Sequence, residues 1–131
     1  MPARSKALLF AYGTLMRGYA RHAVLAAGAT LLTTGSVRGR LVGLRGFPGL
    51  VEGAGRVSGE LYRLDDPELL ARLDHEEGYN FVRRRAVVTL AGGRRARAWL
   101  YRYRGPRERA WPIPDGDYRA ARPSPGRSPW R

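Results

Sequence analysis

Glycine inside β-type sequence most narrows what this chain can fold into. From Thr30 to Leu44, in "ATLLTTGSVRGRLVGL", β-type residues and glycines alternate. Interior glycine in a strand marks a bulge, a bend or a close backbone approach. A sheet with several such points curls toward a barrel instead of lying flat. Other strand candidates surround this run. Ala7 to Tyr12 is short, apolar and bounded by a turn. "RVSGELYRLD" sets Val57 and Leu61 on one face and Tyr62 and Leu64 on the other. "RRAVVTLA" and "RRARAWLYRY" meet at Gly92-Gly93, which fits a tight hairpin. Between Leu44 and "RVSGELYRLD", the stretch "RGFPGLVEGAG", with Pro48 and four glycines, reads as a loop.

Two helices complete the pattern. Tyr19 to Ala27 is a short one that Gly28 can end. "DDPELLARLDHEEG" is the clearer one: Asp66 suits the N-cap, Pro67 the first helical position and Gly78 the stop. The expectation is an α+β fold, a small mixed, mostly antiparallel partial β-barrel with two flanking helices. The 131 residues fit one domain. That domain is expected over residues 1–118. The Pro/Arg-rich remainder, 119–131, lacks apolar periodicity and is expected to be disordered.

Composition removes several chemistries. Cysteine is absent, which excludes disulfides, thiolate zinc sites and a cysteine nucleophile. His22 and His75 lie far apart in sequence, so no metal site is expected. No Gly-x-Ser-x-Gly, dinucleotide fingerprint or P-loop occurs. The first apolar run spans about five residues, below the roughly 7–15 of a signal sequence. No segment nears the roughly 18 apolar residues of a membrane span, so a cytoplasmic protein without a membrane partner is expected. Net charge is +13, nearly all of it arginine. Such a charge suits nucleic acid. The arginines are nevertheless scattered through strands, helix and tail, as on a solvated basic surface, and nucleic acid is not the expected partner.

One acid stands out. At about 100° per residue, Leu69, Leu70 and Leu73 cluster near a mean direction of about 47° from Leu69. On the same wheel Glu77 falls at about 80° and continues the stripe, while Asp74 and His75 face away. A carboxylate at the helix C-terminus also opposes the macrodipole. Both effects push its pKa up, toward what a general base or acid needs at neutral pH. A surface glutamate in a frayed last turn fits the same pattern. Glu60, in "SGELY", is a second candidate carboxylate whose direction stays open, strand glutamates being mostly solvated.

Several stretches together resemble one family. "FAYGTLMRG", "GFPGLV", "GRVSGELYRLD", "LDHEEGYN", "FVRRRAVV", "AWLYRY" and "IPDGDY" fall in the order and spacing of the gamma-glutamyl cyclotransferase-like proteins. The similarity runs over residues 7–118. It implies attack of a substrate's α-amino group on its own γ-glutamyl carbonyl, giving 5-oxoproline and a released amine or amino acid. It implies no cofactor, and a small γ-glutamyl compound as partner. Carried over by position, Tyr12, Gly13, Thr14 and Leu15 contact the glutamyl end and Glu77 is the catalytic acid. Two positions depart from the family pattern: Val82 follows Phe81 where tyrosine is usual, and Tyr118 replaces a tryptophan. The first would alter a pocket wall. A non-catalytic ligand-binding domain of the same fold, or a basic nucleic-acid-associated protein, are the other readings.

Overall fold

Alternation of apolar side chains along curved strands decides the architecture. The computed structural model describes residues 6–120; the remainder of the Pro/Arg-rich tail lies outside them. The elements run β1 (Leu8–Ala11), α1 (His22–Ala26), β2 (Ala29–Leu44), β3 (Phe47–Leu64), α2 (Leu69–Glu77), β4 (Phe81–Leu90), β5 (Arg95–Tyr103) and β6 (Trp111–Ile113). A 3-10 turn, Tyr118–Ala120, ends the described chain. The strands form a ring, β1–β3–β2–β4–β5 and back to β1, with β6 added outside β2. Pairing around the ring is antiparallel except for the β1–β5 closure at Leu9↔Trp99. A parallel bridge, Leu50↔Arg102, also ties β3 to β5. The expected α+β barrel with two helices is therefore the observed fold, and its ring is closed.

Phe10, Val37, Leu41, Val57, Leu61, Val88 and Leu100 fill the barrel interior. The alternate residues Leu9, Tyr62 and Leu64 point outward, where Leu25 of α1 and Leu69 and Leu73 of α2 cover them. Val57 and Leu61 thus face in and Tyr62 and Leu64 face the helices, as the period of two requires. Leu69 and Leu73 are fully buried, each contributing about 1.5–3 kcal/mol.

The segment expected as a loop differs most. Residues 47–51 pair with 40–44 as the end of a long β2–β3 hairpin, with Leu44 opposite Phe47. Arg45 and Gly46 make the two-residue turn, Gly46 taking φ +86°. Pro48, opposite Gly43, lacks only a donor, and its φ suits an extended strand. The irregularity falls farther along: register slips between Arg38 and Arg40, where residues 52–55 bulge opposite Gly39.

Both helices are shorter than their sequence signals. α1 begins at His22, because residues 13–21 form successive turns, including Met16 N–H to the Gly13 carbonyl and Tyr19 N–H to the Met16 carbonyl. α2 begins at Leu69. Asp66 caps the turn before it, its carboxylate accepting the Glu68 amide at 2.9 Å. Gly78 ends α2 with φ +73°.

Candidate functional site

β1 ends at one rim of the barrel, and the chain turns there through Tyr12-Gly13-Thr14-Leu15. The same rim receives the C-terminal end of α2 and the tip of the β2–β3 hairpin. Between them lies a cavity of about 340 Å³. The Tyr12 to Leu15 turn lines one side and Glu76, Glu77 and Asn80 the other. The hairpin tip adds Gly46, Phe47 and Pro48, and Phe81 and Tyr101 complete the wall. The two separated stretches singled out in sequence therefore share one cavity.

Each member is fixed by a traceable contact. Tyr12 is buried, and its hydroxyl donates to the Tyr101 carbonyl at 2.6 Å and accepts the Leu50 amide at 3.1 Å. Burial, which outweighs the bond from Leu50, holds that phenol well above its usual pKa. Its ring and backbone face the cavity while its hydroxyl is committed to the barrel. Gly13 is buried against the ring of Pro48; an added Cβ would lie 2.7 Å from Pro48 Cγ. Among the described residues, the amides of Gly13, Thr14 and Leu15 donate to no protein acceptor. The Thr14 carbonyl accepts from the Arg21 amide at 3.0 Å, and the Leu15 carbonyl from His22 Nδ1 at 2.9 Å. The Leu15 side chain packs in the core under the helices.

Glu77 sits in the last turn of α2 with its side chain 9% exposed, against 54% for Glu76. The burial of Glu77 continues that of Leu69 and Leu73 on the same face of α2. Burial raises the Glu77 pKa; the guanidinium of Arg21, 3.1 Å away, pulls it down but only in part. Arg21 carries no local signal that would select it, since it lies 56 positions from Glu77. Its Nη2 is buried without a hydrogen bond, 4.0 Å from Glu76 Oε2. Tyr101 donates to Asp74 at 2.7 Å, and Asp74 also pairs with Arg83 at 3.0 Å. Asp74 thus serves the outer edge of the wall. Phe81 lines the cavity, whereas the departing residue Val82 pairs with Arg102 and is not among the lining residues.

Glu60 lies elsewhere. It is 5% exposed on the helix-facing side of β3, behind the Tyr12–Arg21 segment and outside the cavity wall. Among the described residues no group of three or more His, Cys, Asp or Glu side chains is placed to hold a metal. No helix among them is long and apolar enough to cross a membrane.

The arrangement offers a base of raised pKa, a cation beside it and three amides with free donors, all around one small volume. Known proteins are similar to this chain in sequence and fold. The profile of the family described as gamma-glutamyl cyclotransferase, AIG2-like, matches residues 9–120. A protein of Vibrio cholerae serotype O1, provisionally named a gamma-glutamylcyclotransferase, is 37% identical over 98 residues, covering 73% of this chain and 81% of that one. Protein ytfP of Escherichia coli, solved in solution, is 32% identical with a TM-score of 0.63, covering 85% of this chain and 95% of its own. An AIG2-like protein from Mus musculus is 28% identical with a TM-score of 0.65, covering 76% of this chain and 78% of its own.

Proposed function

Because the chain belongs to the gamma-glutamyl cyclotransferase, AIG2-like family, we propose that it converts a small γ-glutamyl amine or γ-glutamyl amino acid to 5-oxoproline and free amine. The observation that supports this reading is Glu77, 9% exposed and lining one cavity together with Gly13, Thr14 and Leu15.

The steps follow from those groups. The substrate's α-ammonium cannot attack until it loses a proton, and Glu77 takes it. The freed amine then attacks the γ-carbonyl carbon, closing a five-membered ring. Negative charge grows on the carbonyl oxygen, where fixed donors are most effective in a dry site. The amides of Gly13, Thr14 and Leu15 supply such donors, and the absence of a Cβ at Gly13 lets a ligand come close. The bond to the leaving nitrogen breaks as Glu77 hands its proton to it; Glu77 then takes the second proton from the ring nitrogen, and the freed amine carries that proton away as an ammonium. Arg21 holds the carboxylate in place and favours its ionised form. Confinement within the cavity keeps amine and carbonyl in reach of each other. Tyr12 contributes its ring face and backbone, since its hydroxyl is spent.

The test is release of 5-oxoproline from a panel of γ-glutamyl amines, γ-glutamyl amino acids and glutathione. Turnover of one class is the expected result. Glu77→Gln should lower kcat about 10²–10⁴-fold, the usual span for losing a general base, without loss of folding. A flat panel refutes the reaction and favours a binding domain; undiminished turnover in Glu77→Gln refutes the assigned base.

A further inference from the structure

Glu60 is a buried carboxylate that the proposed reaction does not use. Its Oε1 accepts the Arg17 amide at 2.8 Å and the Tyr62 hydroxyl at 2.7 Å. Its Oε2 pairs with the Arg119 guanidinium at 3.2 Å. Burial pulls its pKa up, but these donors together more than offset it, and the group is held below the usual carboxylate range. A buried, ionised carboxylate is costly unless it is paired and hydrogen-bonded, and Glu60 is both.

What it fixes is the segment that lines the cavity. The chain leaves β1 at Ala11, which pairs with Glu60, and runs through Gly13–Leu15 to the turn at Arg17. There the Arg17 amide comes back to the Glu60 side chain. Residues 13–22 are tied to one another by the Gly13–Met16, Met16–Tyr19 and Thr14–Arg21 backbone bonds. These bonds link the amides of Gly13–Leu15 and Arg21 within one small unit. Arg119 closes the fastening from outside. Its Nη2 also donates to the Arg17 carbonyl, and its guanidinium lies 5.0 Å from the centre of the Tyr19 ring. Tyr118 adds a ring contact to Tyr19, centroids 5.3 Å apart.

We infer that Glu60, clamped by Arg119 of the last described turn, is a positioning residue that sets the register of the Gly13–Arg21 segment against Glu77. The inference rests on the proposed cyclotransferase reading for the purpose of the segment, and on contacts alone for the fastening. In a γ-glutamyl cyclotransferase it makes residues near the end of the chain part of the support of the glutamyl pocket.

Hydrogen exchange and kinetics on the full chain separate these two halves. Peptides covering 13–21 should exchange about ten-fold faster in Glu60→Gln and in Arg119→Ala, while the β4–β5 hairpin keeps its protection. Glu77→Gln should leave the 13–21 exchange unchanged. On the substrate found by the panel, Glu60→Gln should raise KM more than it lowers kcat. Arg119→Lys should restore most of the loss seen in Arg119→Ala. Where Glu60→Gln fails to fold, Arg119→Ala, whose side chain is 44% exposed, carries the test. Wild-type exchange over 13–21 in the folded variants overturns the fastening. Faster exchange with unchanged kcat/KM overturns the positioning role. If the wild type turns over nothing, calorimetric binding of 5-oxoproline takes the place of KM: weaker binding in the variants supports positioning. Unchanged binding, or none by the wild type, overturns it.

Discussion

Replacing Gly13 by alanine tests the cavity geometry with one methyl group. Gly13 does not have the positive φ that would strain an alanine, so the effect is steric. The new Cβ would lie 2.7 Å from Pro48 Cγ and 2.9 Å from Pro48 Cδ. Carbon atoms pack at about 3.5–4.0 Å, so the contact must open by roughly 1 Å. Pro48 is a ring on a paired strand and cannot rotate away. The loop or the hairpin tip must shift, at about 1–3 kcal/mol. Loss of unfolded-state freedom returns about 0.4–1 kcal/mol. The net expectation is a destabilisation of about 1–2 kcal/mol in urea unfolding. Pro48→Ala removes the obstructing atoms, so the double variant should recover at least half of that loss. Release of 5-oxoproline should follow the same order, because the shifted amides also line the cavity. Gly13→Ala with wild-type stability and turnover, or a double variant showing no coupling, would refute the placement of the loop against the hairpin tip.

Two more outcomes are specific. Arg21→Met removes the cation that pulls the Glu77 pKa down; the acid limb of kcat/KM should move to higher pH, and Arg21→Lys should move it less. An unmoved limb separates Arg21 from the base. Leu73→Ala should cost about 2–5 kcal/mol in urea unfolding, since Leu73 is fully buried under α2. Leu70, only partly buried against the same cluster, should cost distinctly less, and equal losses would refute the orientation of α2.

The raised Glu77 pKa also has a stability consequence. A carboxyl whose folded pKa lies above its unfolded one contributes stability below the unfolded value, and that stability is lost as pH rises through the folded one. Glu77 therefore weakens the fold at neutral pH, the cost of a carboxylate suited to the proposed proton transfer. Glu60 has the opposite sign. Its contribution is present above the unfolded carboxylate range and is lost as pH falls through its lowered folded value.

Glu77 was legible because a helix has a fixed period and three leucines set its phase. The barrel was legible because glycine recurs within β-type runs. The β2–β3 hairpin was read as a loop because Pro48 and four glycines are local loop signals. Pairing with residues 40–44 overrides them, and that pairing is not written in residues 45–55 themselves. The direction of Glu60 was open in the residues alone. In the fold its parity with Tyr62 and Leu64 puts it on the helix-facing side of β3. Arg21 had no signal, since a scattered arginine gains meaning only when the fold brings a carboxylate to it. Likewise the hydroxyl of Tyr12 is committed by two backbone partners from strands 38 and 89 positions away.

The hairpin tip adds a consequence of another kind. Gly46, Phe47 and Pro48 face the cavity from a two-residue turn, whereas the proposed base and amides stand on α2 and on the turn after β1. The part of the wall open to variation is therefore separate in the chain from the part that does chemistry. Lengthening a turn is a mild entropic change for the fold. Residues inserted at Arg45–Gly46 would reshape the room left for a departing group in the proposed reaction without touching the end of α2 that carries Glu77, provided Pro48 keeps its contact with Gly13.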